Sequence, residues 1–437
     1  MSDEQRPTMA SFWHDLPREG KLLISVVVFE FIGTGLVLPF WVVYLHEVRG
    51  FDLDTVGLML AVLPLAGMVS SLAAGPAIDA HGARVVQVLT LALAVSGQVV
   101  MAFAASAPVA FAGLALTGAS YGLGWPSWQS LVAAIVPSGI RQRYFGLNFT
   151  LLNLGIGIGG IVGGFVVDVD ETWTFQAMYL GDALSYVLPL VLLLWPLRHT
   201  GGPVPSTAAE GTPSVGYLGV CRRPAVPLLV VVSFVLAFVG YGQLNSGMPA
   251  FARSISEVST RGLGWAFAAN TVVIVLLQLV VLQRIEGRRR TRVLLAMAVV
   301  WAVAWLLLGA SGLVPGTAGA TLLVAACASV FALGETLFQP TMPAIVNDLA
   351  PDDLRGRYNA LTAGAFHLGS IVAPVVAGLY VDRGMAGAFI GTLLVGLGVL
   401  AVLVLRVESQ ISPAVNGVTP VASEPEPVPS VAPPTTV

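Results

Sequence analysis

Two glutamates lie inside long apolar stretches, where a carboxyl group is unusual. Glu30 lies within VVVFEFIGTGLVLPF, and Glu335 lies within FALGETLFQP. A carboxylate at the centre of a membrane span costs about 2.5–3.5 kcal/mol on insertion scales, so it usually serves a cavity or a proton pathway. The sequence therefore points to reversible proton binding at Glu30 and Glu335. For Glu30, the alternative is a carboxyl that is hydrogen-bonded within the helix bundle.

Asp182 and His367 also fall within apolar stretches. A lone polar side chain in a membrane helix often forms a hydrogen bond to a neighbouring helix. We therefore interpret both as helix–helix contacts. Asp182 would matter for acid chemistry only if it faced the interface between the two halves.

The apolar stretches define the elements that must position these side chains. The chain has 437 residues, of which 56% are apolar and 10% are charged, whereas about 25% charged is usual in soluble proteins. A membrane-spanning helix needs about 20 mostly apolar residues. The twelve stretches that qualify are 22–45, 55–78, 85–106, 108–136, 144–167, 174–197, 225–249, 262–283, 291–312, 317–346, 358–381 and 385–406.

A repeat relates the two halves of the chain. Residues 126–168 align without a gap with residues 340–382 at an offset of 214 residues, and thirteen of the 43 pairs are identical. The identical pairs include Pro126/Pro340, Pro137/Pro351, Arg141/Arg355, Arg143/Arg357, Tyr144/Tyr358, Gly155/Gly369, Gly164/Gly378 and Asp168/Asp382. Such same-direction repeats are typical of two-halved transporters. We therefore predict an all-α membrane protein with twelve transmembrane helices in two pseudo-symmetric six-helix bundles.

The segments outside the spans divide the chain into five regions. The stretch between the halves is rich in Gly, Pro, Ser and Thr, as in a flexible linker, and the tail has the low complexity of a disordered segment. The predicted regions are an N-terminal segment 1–20, a bundle 21–199, a linker 200–224, a second bundle 225–407 and a disordered tail 408–437. The first 20 residues lack the pattern of a cleaved signal peptide.

The distribution of basic residues predicts the orientation in the membrane. Of the 21 Lys and Arg residues, 17 lie on one side of the predicted spans and four lie on the other. Segments rich in Arg and Lys stay in the cytoplasm, so both termini are expected there. The preference for Arg over Lys suits a GC-rich bacterial genome, and a bacterial inner membrane is the expected location.

The loop between spans 2 and 3 reads GPAIDAHGAR. Here the chain resembles the major facilitator superfamily, whose signature in this loop is Gly-x-x-x-Asp-(Arg/Lys)-x-Gly-Arg-(Arg/Lys). Gly75, Asp79, Gly82 and Arg84 match, whereas two alanines replace usual basic residues. The resemblance implies that Asp79 latches the cytoplasmic gate, and a carboxylate there can pair with an Arg or a helix N-terminus. The alternative is a solvated tight turn. The equivalent loop of the second half contains only Glu286, which is out of register.

Span 5 carries glycines at the spacing of the antiporter motif of drug-efflux members, Gly-x8-Gly-x3-Gly-Pro-x2-Gly-Gly. The matching residues are Gly146, Gly155, Gly159, Gly163 and Gly164, and Gly160 stands where proline is usual. Glycines four residues apart also let two helices approach closely in lipid. The sequence leaves open whether this stretch serves antiport or helix packing.

The resemblance also implies which side chains surround the substrate. In this family spans 1, 4, 7 and 10 line a central cavity, so Glu30 and Glu335 are expected to face it from opposite halves. The Gly-Glu pair before Pro340 looks like that of proton-coupled multidrug exporters, where the Glu is a protonation or substrate site. Other cavity candidates are Tyr121, Trp125, Tyr241, Gln243, Asn245 and Gln339. Aromatic side chains suit an adaptable pocket, and their alternative roles are packing or an interfacial aromatic belt.

Together these patterns favour a secondary active transporter that exports drug-like or amphipathic molecules in exchange for protons by alternating access. No nucleotide-binding loop, catalytic arrangement or metal-ligand spacing is recognisable, so ATP drive, enzymatic activity, metal sites and cofactors are not expected. The expected partners are a small molecule, protons and the lipid bilayer; with a net charge of −3, nucleic acid is not expected. The protein is expected to be a monomer. The alternatives are a proton-independent facilitator or importer of a small metabolite, and a non-transporting receptor or scaffold.

Overall fold

The computed structural model describes residues 9–203, 215–381 and 383–418. Most of the predicted linker, Asp382 of the repeat and most of the predicted tail therefore lie outside the described residues. For the described part of the chain, the structure allows each candidate residue to be placed.

Twelve long helices account for most of the described residues. The first half contains α1 (Arg18–Val48), α2 (Leu53–His81), α3 (Ala83–Ala102), α4 (Ala107–Ile135), α5 (Ser138–Val166) and α6 (Thr172–Leu194). The second half contains α7 (Val226–Ser254), α8 (Thr260–Ile285), α9 (Arg290–Ser311), α10 (Ala318–Leu349), α11 (Arg355–Val381) and α12 (Ala386–Glu408). The predicted all-α fold is confirmed.

Helix α4 differs in composition from the other eleven. Within the described residues, eleven helices are long and apolar enough to cross a membrane, and α4 is the long helix that is not among them. It has 29 residues and is rich in Gly, Ser and Thr. A Cβ on Gly118 would lie 2.4 Å from the Leu63 carbonyl oxygen of α2. Small residues on α4 therefore allow close helix packing inside the protein, which explains its lower hydropathy.

The two halves repeat the same set of helix contacts. α1 packs on α5 and α6, as α7 packs on α11 and α12, and the α3–α4 contact corresponds to α9–α10. Between the halves, α2 packs on α11 and α5 packs on α8, and these two contacts are equivalent under the same exchange. The contacts confirm the two pseudo-symmetric six-helix bundles. The helix ends that carry most of the arginines lie on one side, which we call the Arg-rich end.

An aromatic layer fixes three helices of the second half around the cavity. Trp301 of α9 stacks on Phe331 of α10 with ring centroids 4.5 Å apart, and its indole N–H donates to the Phe331 carbonyl oxygen. A Cβ on Gly240 or on Gly334 would lie within 2.4 Å of the Trp301 ring. These glycines let α7 and α10 close on the indole, and the layer sets the rotation of the residues that follow them.

Helices α1 and α7 contain π-helical turns. α1 ends in the turn Tyr44–Val48, and α7 contains the turns Ala237–Tyr241 and Gln243–Gly247. Each π-helical turn adds a residue to the helix and rotates the side chains that follow it. The directions of side chains after Tyr241 therefore differ from those of a regular α-helix.

The structure differs from the predicted disordered tail at residues 408–418. Glu408 pairs with Arg289 and Arg292, at 3.0 and 3.1 Å. Asn416 Oδ1 accepts a hydrogen bond from the Thr291 backbone N–H at 3.0 Å. The first N–H groups of a helix have no partner within the helix. Asn416 supplies a hydrogen-bond acceptor to such an N–H group at the start of α9, so this part of the tail is ordered.

Candidate functional site

A cavity of about 530 Å³ lies between the two halves. Of the predicted residues, five line it: Glu30, Tyr121, Trp125, Tyr241 and Gln339. Four amide side chains and one imidazole that were not among the cavity predictions also line it, namely Gln87, Gln129, Asn148, Asn359 and His367. These residues carry the same signal as Glu30, a polar side chain within an apolar span. Applied to amides as well as acids, that signal would have found them.

Glu30 lies in the wall of the cavity on α1. One turn later, the Thr34 hydroxyl lies 3.0 Å from the Tyr186 hydroxyl of α6, so α1 is tied to α6 beside Glu30. Among the described residues, no ion pair involves Glu30. The carboxyl is therefore available to a cation or a proton that enters the cavity.

Glu335 does not line the cavity, which corrects the prediction that it faces the cavity directly. It is 4% exposed, and its Oε2 accepts a hydrogen bond from Asn270 Nδ2 of α8 at 2.8 Å. Phe338, Gln339 and Met342, which follow it on α10, do line the cavity. The side chain of Glu335 points instead between α10, α8 and α7.

Gln339 and Tyr241 connect Glu335 to the cavity. Gln339 Nε2 donates to the Tyr241 hydroxyl at 2.6 Å, and that hydroxyl lies beside the Glu335 carboxyl. Tyr241 and Gln339 both line the cavity. A hydroxyl can accept one proton while it donates another, so Tyr241 can pass a proton between the cavity and Glu335.

Gln243 and Asn245 lie outside the cavity, contrary to the prediction. Gln243 is completely buried, and its Nε2 donates to the Ala373 carbonyl oxygen of α11 at 3.2 Å. Asn245 is exposed. In a regular α-helix Asn245 would share a face with Tyr241, four residues earlier. The π-helical turn Gln243–Gly247 changes that rotation.

At the Arg-rich end, Asp79 of α2 joins the second half at the start of α11. Its Oδ1 accepts the Gly356 backbone N–H at 2.8 Å, and its Oδ2 accepts from Arg357 Nη1 at 2.6 Å. We call this group the first latch. It combines a charge pair with a helix N-terminus, where a negative charge is favourable.

The other residues of the loop motif position the first latch. A Cβ on Gly75 would lie 2.9 Å from the Arg357 Cα, so only glycine lets α2 come this close to α11. Gly82 forms the turn after α2 with a φ of +87°, which favours glycine. Arg84 lies apart from the latch and donates to the Leu193 carbonyl oxygen at 3.3 Å.

Tyr217, in the short helix before α7, covers the first latch. Its hydroxyl donates to the Leu72 carbonyl oxygen of α2 at 2.6 Å. Burial raises the pKa of Tyr217 to about 12, so the phenol stays protonated and remains a donor at neutral pH.

A second latch joins α5 to the second half, also at the Arg-rich end. Glu286, at the end of α8, pairs with Arg143. Asp348, at the end of α10, lies between Arg141 of α5 and Arg290 of α9, with an Arg290 Nη1 to Oδ2 distance of 2.7 Å. In the sequence Glu286 is out of register with Asp79, and Asp348 is not among the predicted site residues. In the structure both acids meet arginines more than 140 residues away in sequence.

The glycine motif of α5 divides between two surfaces. A Cβ on Gly155, Gly159 or Gly163 would lie 2.6, 2.1 or 2.9 Å from a backbone oxygen of α1. A Cβ on Gly146 would lie 2.4 Å from the Leu282 side chain of α8. One on Gly160 would lie 3.9 Å from the Gly35 carbonyl oxygen, and one on Gly164 would meet nothing within 4 Å. Three glycines at four-residue spacing thus allow close packing of α5 on α1, which is the packing role that the sequence left open.

The sequence matches one family model over nearly its whole length, that of the Major Facilitator Superfamily, at residues 23–262 and 253–432. The chain is similar to the quinolone resistance protein NorA of Staphylococcus aureus, with 22% identity over 380 residues, which is 87% of this chain and 94% of that protein. It is also similar to a Na+, Li+, K+/H+ antiporter of Planococcus maritimus, with 23% identity over 373 residues, 78% of this chain and 84% of the antiporter.

Two solved structures share the fold. A bacterial homologue of the iron transporter ferroportin, in its outward-facing state, superimposes with a TM-score of 0.74 at 14% identity, covering 90% of this chain and all of that one. The proton:xylose symporter XylE gives a TM-score of 0.70 at 16% identity, over 90% and 95% of the two chains. At these identities the likeness concerns the arrangement of the helices.

Proposed function

The chain belongs to the Major Facilitator Superfamily and is a multi-pass membrane transporter rather than an enzyme, and we propose that it exports amphipathic, often cationic molecules in exchange for protons. The observation that carries this proposal is a pair of acids, one in each half, of which one lines the central cavity and the other lies behind its wall. Glu30 is directly accessible from the cavity, and Glu335 is reached through the Tyr241 hydroxyl.

The lining of the cavity suits an amphipathic cation. Trp125 and Tyr121 expose 42% and 37% of their surface and line the cavity opposite Tyr241 and Phe338. Aromatic faces attract cations by about 0.5–2 kcal/mol each, and apolar walls bind the remainder of the molecule. An ionised Glu30 would supply the matching negative charge.

The side on which the two halves are held together supports the proposed direction of transport. Both latches join the halves at the Arg-rich end, which we propose is the cytoplasmic side of a bacterial inner membrane, because basic segments stay in the cytoplasm. The conformation is then outward-open, with the cavity accessible to protons from outside. Breaking both latches would open the cavity to the cytoplasm.

Competition between the proton and the substrate for the same carboxyls would couple their movements. In the outward-open state, protons from outside neutralise Glu30 and Glu335, and a bound cation loses its counter-charge and leaves. After the latches open, the acids release their protons to the cytoplasm and can bind a new cation. Each cycle then moves protons inward and the substrate outward.

The experiment is substrate-driven proton movement in proteoliposomes that contain a pH-sensitive dye. Ethidium serves as the cationic probe, and the parent chain is compared with Glu335→Gln. We expect proton movement in the parent and its loss in Glu335→Gln. Glu47→Gln is the matched control, since Glu47 is exposed in the π-helical turn that ends α1, and it should behave as the parent does.

The same experiment separates the alternatives. Probe flux without proton movement in both the parent and Glu335→Gln would show that the protein is a proton-independent facilitator and not an exchanger. Probe and protons moving in the same direction would indicate import. No flux of a panel of cationic and neutral amphipathic probes, in protein that is folded by its thermal transition, would favour a receptor or scaffold.

A further inference from the structure

The first half contains a buried carboxyl that the proposed exchange has not used. Asp182 of α6 is 1% exposed. A Cβ on Gly33 of α1 would lie 2.6 Å from Asp182 Oδ1 and 2.2 Å from Ser185 Oγ. The glycine therefore makes room for both side chains, and Asp182 lies against the part of α1 that carries Glu30.

Hydroxyl groups connect Asp182 to α1 and to the cavity. Ser185 Oγ donates to the Glu30 carbonyl oxygen at 3.0 Å and lies 3.5 Å from Asp182 Oδ1. Tyr186 lines the cavity, lies close enough to the Asp182 carboxyl to interact with it, and shares a 3.0 Å hydrogen bond with the Thr34 hydroxyl. The Tyr186 hydroxyl thus lies between the cavity and Asp182, as the Tyr241 hydroxyl lies between the cavity and Glu335.

No cation neutralises Asp182 in the described part of the chain. The titratable groups that act on this region are Glu30 of α1, Tyr121 of α4, Tyr179 and Tyr186 of α6 itself, and Tyr44 and Arg49, which act on Tyr179. No ion pair that involves Asp182 occurs among the described residues. A buried ion without a partner costs several kcal/mol, whereas a bound proton removes the charge.

The region also has unused hydrogen-bonding capacity. Tyr179, one helical turn before Asp182, is 1% exposed, and its hydroxyl lacks a hydrogen-bond partner among the described residues. Buried polar groups are normally paired. An unpaired hydroxyl beside a buried acid is consistent with a local network that rearranges when a proton arrives.

We propose that Asp182 is a second proton-binding residue of the exchange, loaded from the cavity through Glu30 and the Tyr186 hydroxyl. This inference rests on the proposed function. In the transfer an O–H bond of Glu30 breaks and an O–H bond of Asp182 forms, while Tyr186 accepts one proton and donates its own. The total charge of the two carboxyls does not change. Glu30 is then free to bind a cationic substrate while the first half keeps its proton.

The test is infrared difference spectroscopy of the full chain in lipid vesicles, which needs protons and no substrate. A protonated carboxyl has a C=O stretching band separate from that of a carboxylate. We expect the parent to show such a band at neutral pH, Asp182→Asn to lose the component that Asp182 contributes to it, and Asp182→Glu to restore that component at a shifted frequency. Asp170→Asn, at an exposed loop position, is the matched control and should keep it.

The route is tested by transfer into D2O, where the Asp182 band shifts as its proton exchanges. We expect exchange on the order of tenfold slower in Glu30→Gln and in Tyr186→Phe, since each removes a proton-relay group. An unchanged carboxyl band in folded Asp182→Asn would overturn the proposal, as would unchanged exchange in both relay variants. Because no substrate is used, these outcomes are independent of whether Glu335→Gln abolishes substrate-driven proton movement.

Discussion

The two latches at the Arg-rich end are equivalent in position and different in construction. The first latch places Asp79 against a backbone N–H and one arginine at the start of α11. The second latch spreads its charge over two acids and three arginines on α5, α8, α9 and α10. The repeated arginines Arg143 and Arg357 each meet an acid of the opposite half. The acids come from different sequence positions in the two loops.

This difference shows that the pseudo-symmetry of the two halves is kept in the helix contacts and not in the sequence motif of the loops. Asp79 is 4% exposed and Asp348 is 8% exposed, whereas Glu286 is 27% exposed. Removing one partner of a buried ion pair costs about 3–5 kcal/mol of stability, whereas an exposed ion pair contributes about 0–1 kcal/mol. Three acids in equivalent roles should therefore differ widely in how strongly they close the Arg-rich end.

Asp348→Asn should have the largest effect. It leaves the Arg141 and Arg290 guanidinium groups buried without a carboxylate, which costs about 3–5 kcal/mol. Since about 1.4 kcal/mol is a factor of ten, the closed end should open in most molecules. The measurement is the distance between spin labels at Ala80→Cys and Arg288→Cys, one exposed position in each half, in a Cys221→Ser background.

Asp352→Asn is the matched control for Asp348→Asn. Asp352 is 66% exposed and pairs with Arg355 three residues later, so it does not join the halves. The label distances in this variant should match those of the parent. If Asp348→Asn also left the distances unchanged, the second latch would not contribute to closure.

Asp79→Asn should open the Arg-rich end in fewer molecules than Asp348→Asn does. The asparagine oxygen can still accept the Gly356 N–H, and what is lost is the charge that pairs with Arg357. A hydrogen bond to a charged group contributes about 1.5–3 kcal/mol. The same label pair, together with thiol accessibility of the cavity from each side, measures the shift. Thiol accessibility equal to that of the parent would show that the first latch does not hold the Arg-rich end closed.

Gly75→Ala and Gly146→Ala compare the close contacts that accompany the two latches. The new methyl at position 75 meets the Arg357 Cα at 2.9 Å, which is backbone, whereas at position 146 it meets the flexible Leu282 side chain. Overpacking costs about 1–3 kcal/mol where the neighbour cannot move. We expect a change in label distances for Gly75→Ala and little for Gly146→Ala. The reverse order would show that Leu282 is the more rigid neighbour.

Glu286→Gln should have the smallest effect, no more than about 1 kcal/mol. The pair with Arg143 is partly exposed, so raising the salt concentration of the parent should screen it and reproduce most of the small shift. The label distances as a function of salt concentration provide the check. A shift as large as that of Asp79→Asn would mean that the two latches are equal in strength as well as in position.

The sequence by itself determined the twelve helices, their division into two bundles and the place of Asp79 in the loop motif. These features can be recognised in the linear sequence, from the length of an apolar stretch, a repeat at a fixed offset, and a loop motif within ten residues. It also identified Glu30 and Tyr241 as cavity residues, because a polar or amphipathic side chain in an apolar span has few other places to lie.

Only the tertiary structure decided which groups meet. Glu335 lies behind Tyr241, Gln243 faces α11, and Asp348 meets Arg141, because helix rotation, π-helical turns and packing against helices far away in sequence set these directions. The sequence predicts a helix contact for Asp182, and its place against Gly33 depends on how closely α1 and α6 pack. A carboxyl in an apolar span can be recognised from the chain alone, but its partners are set by packing between helices distant in sequence.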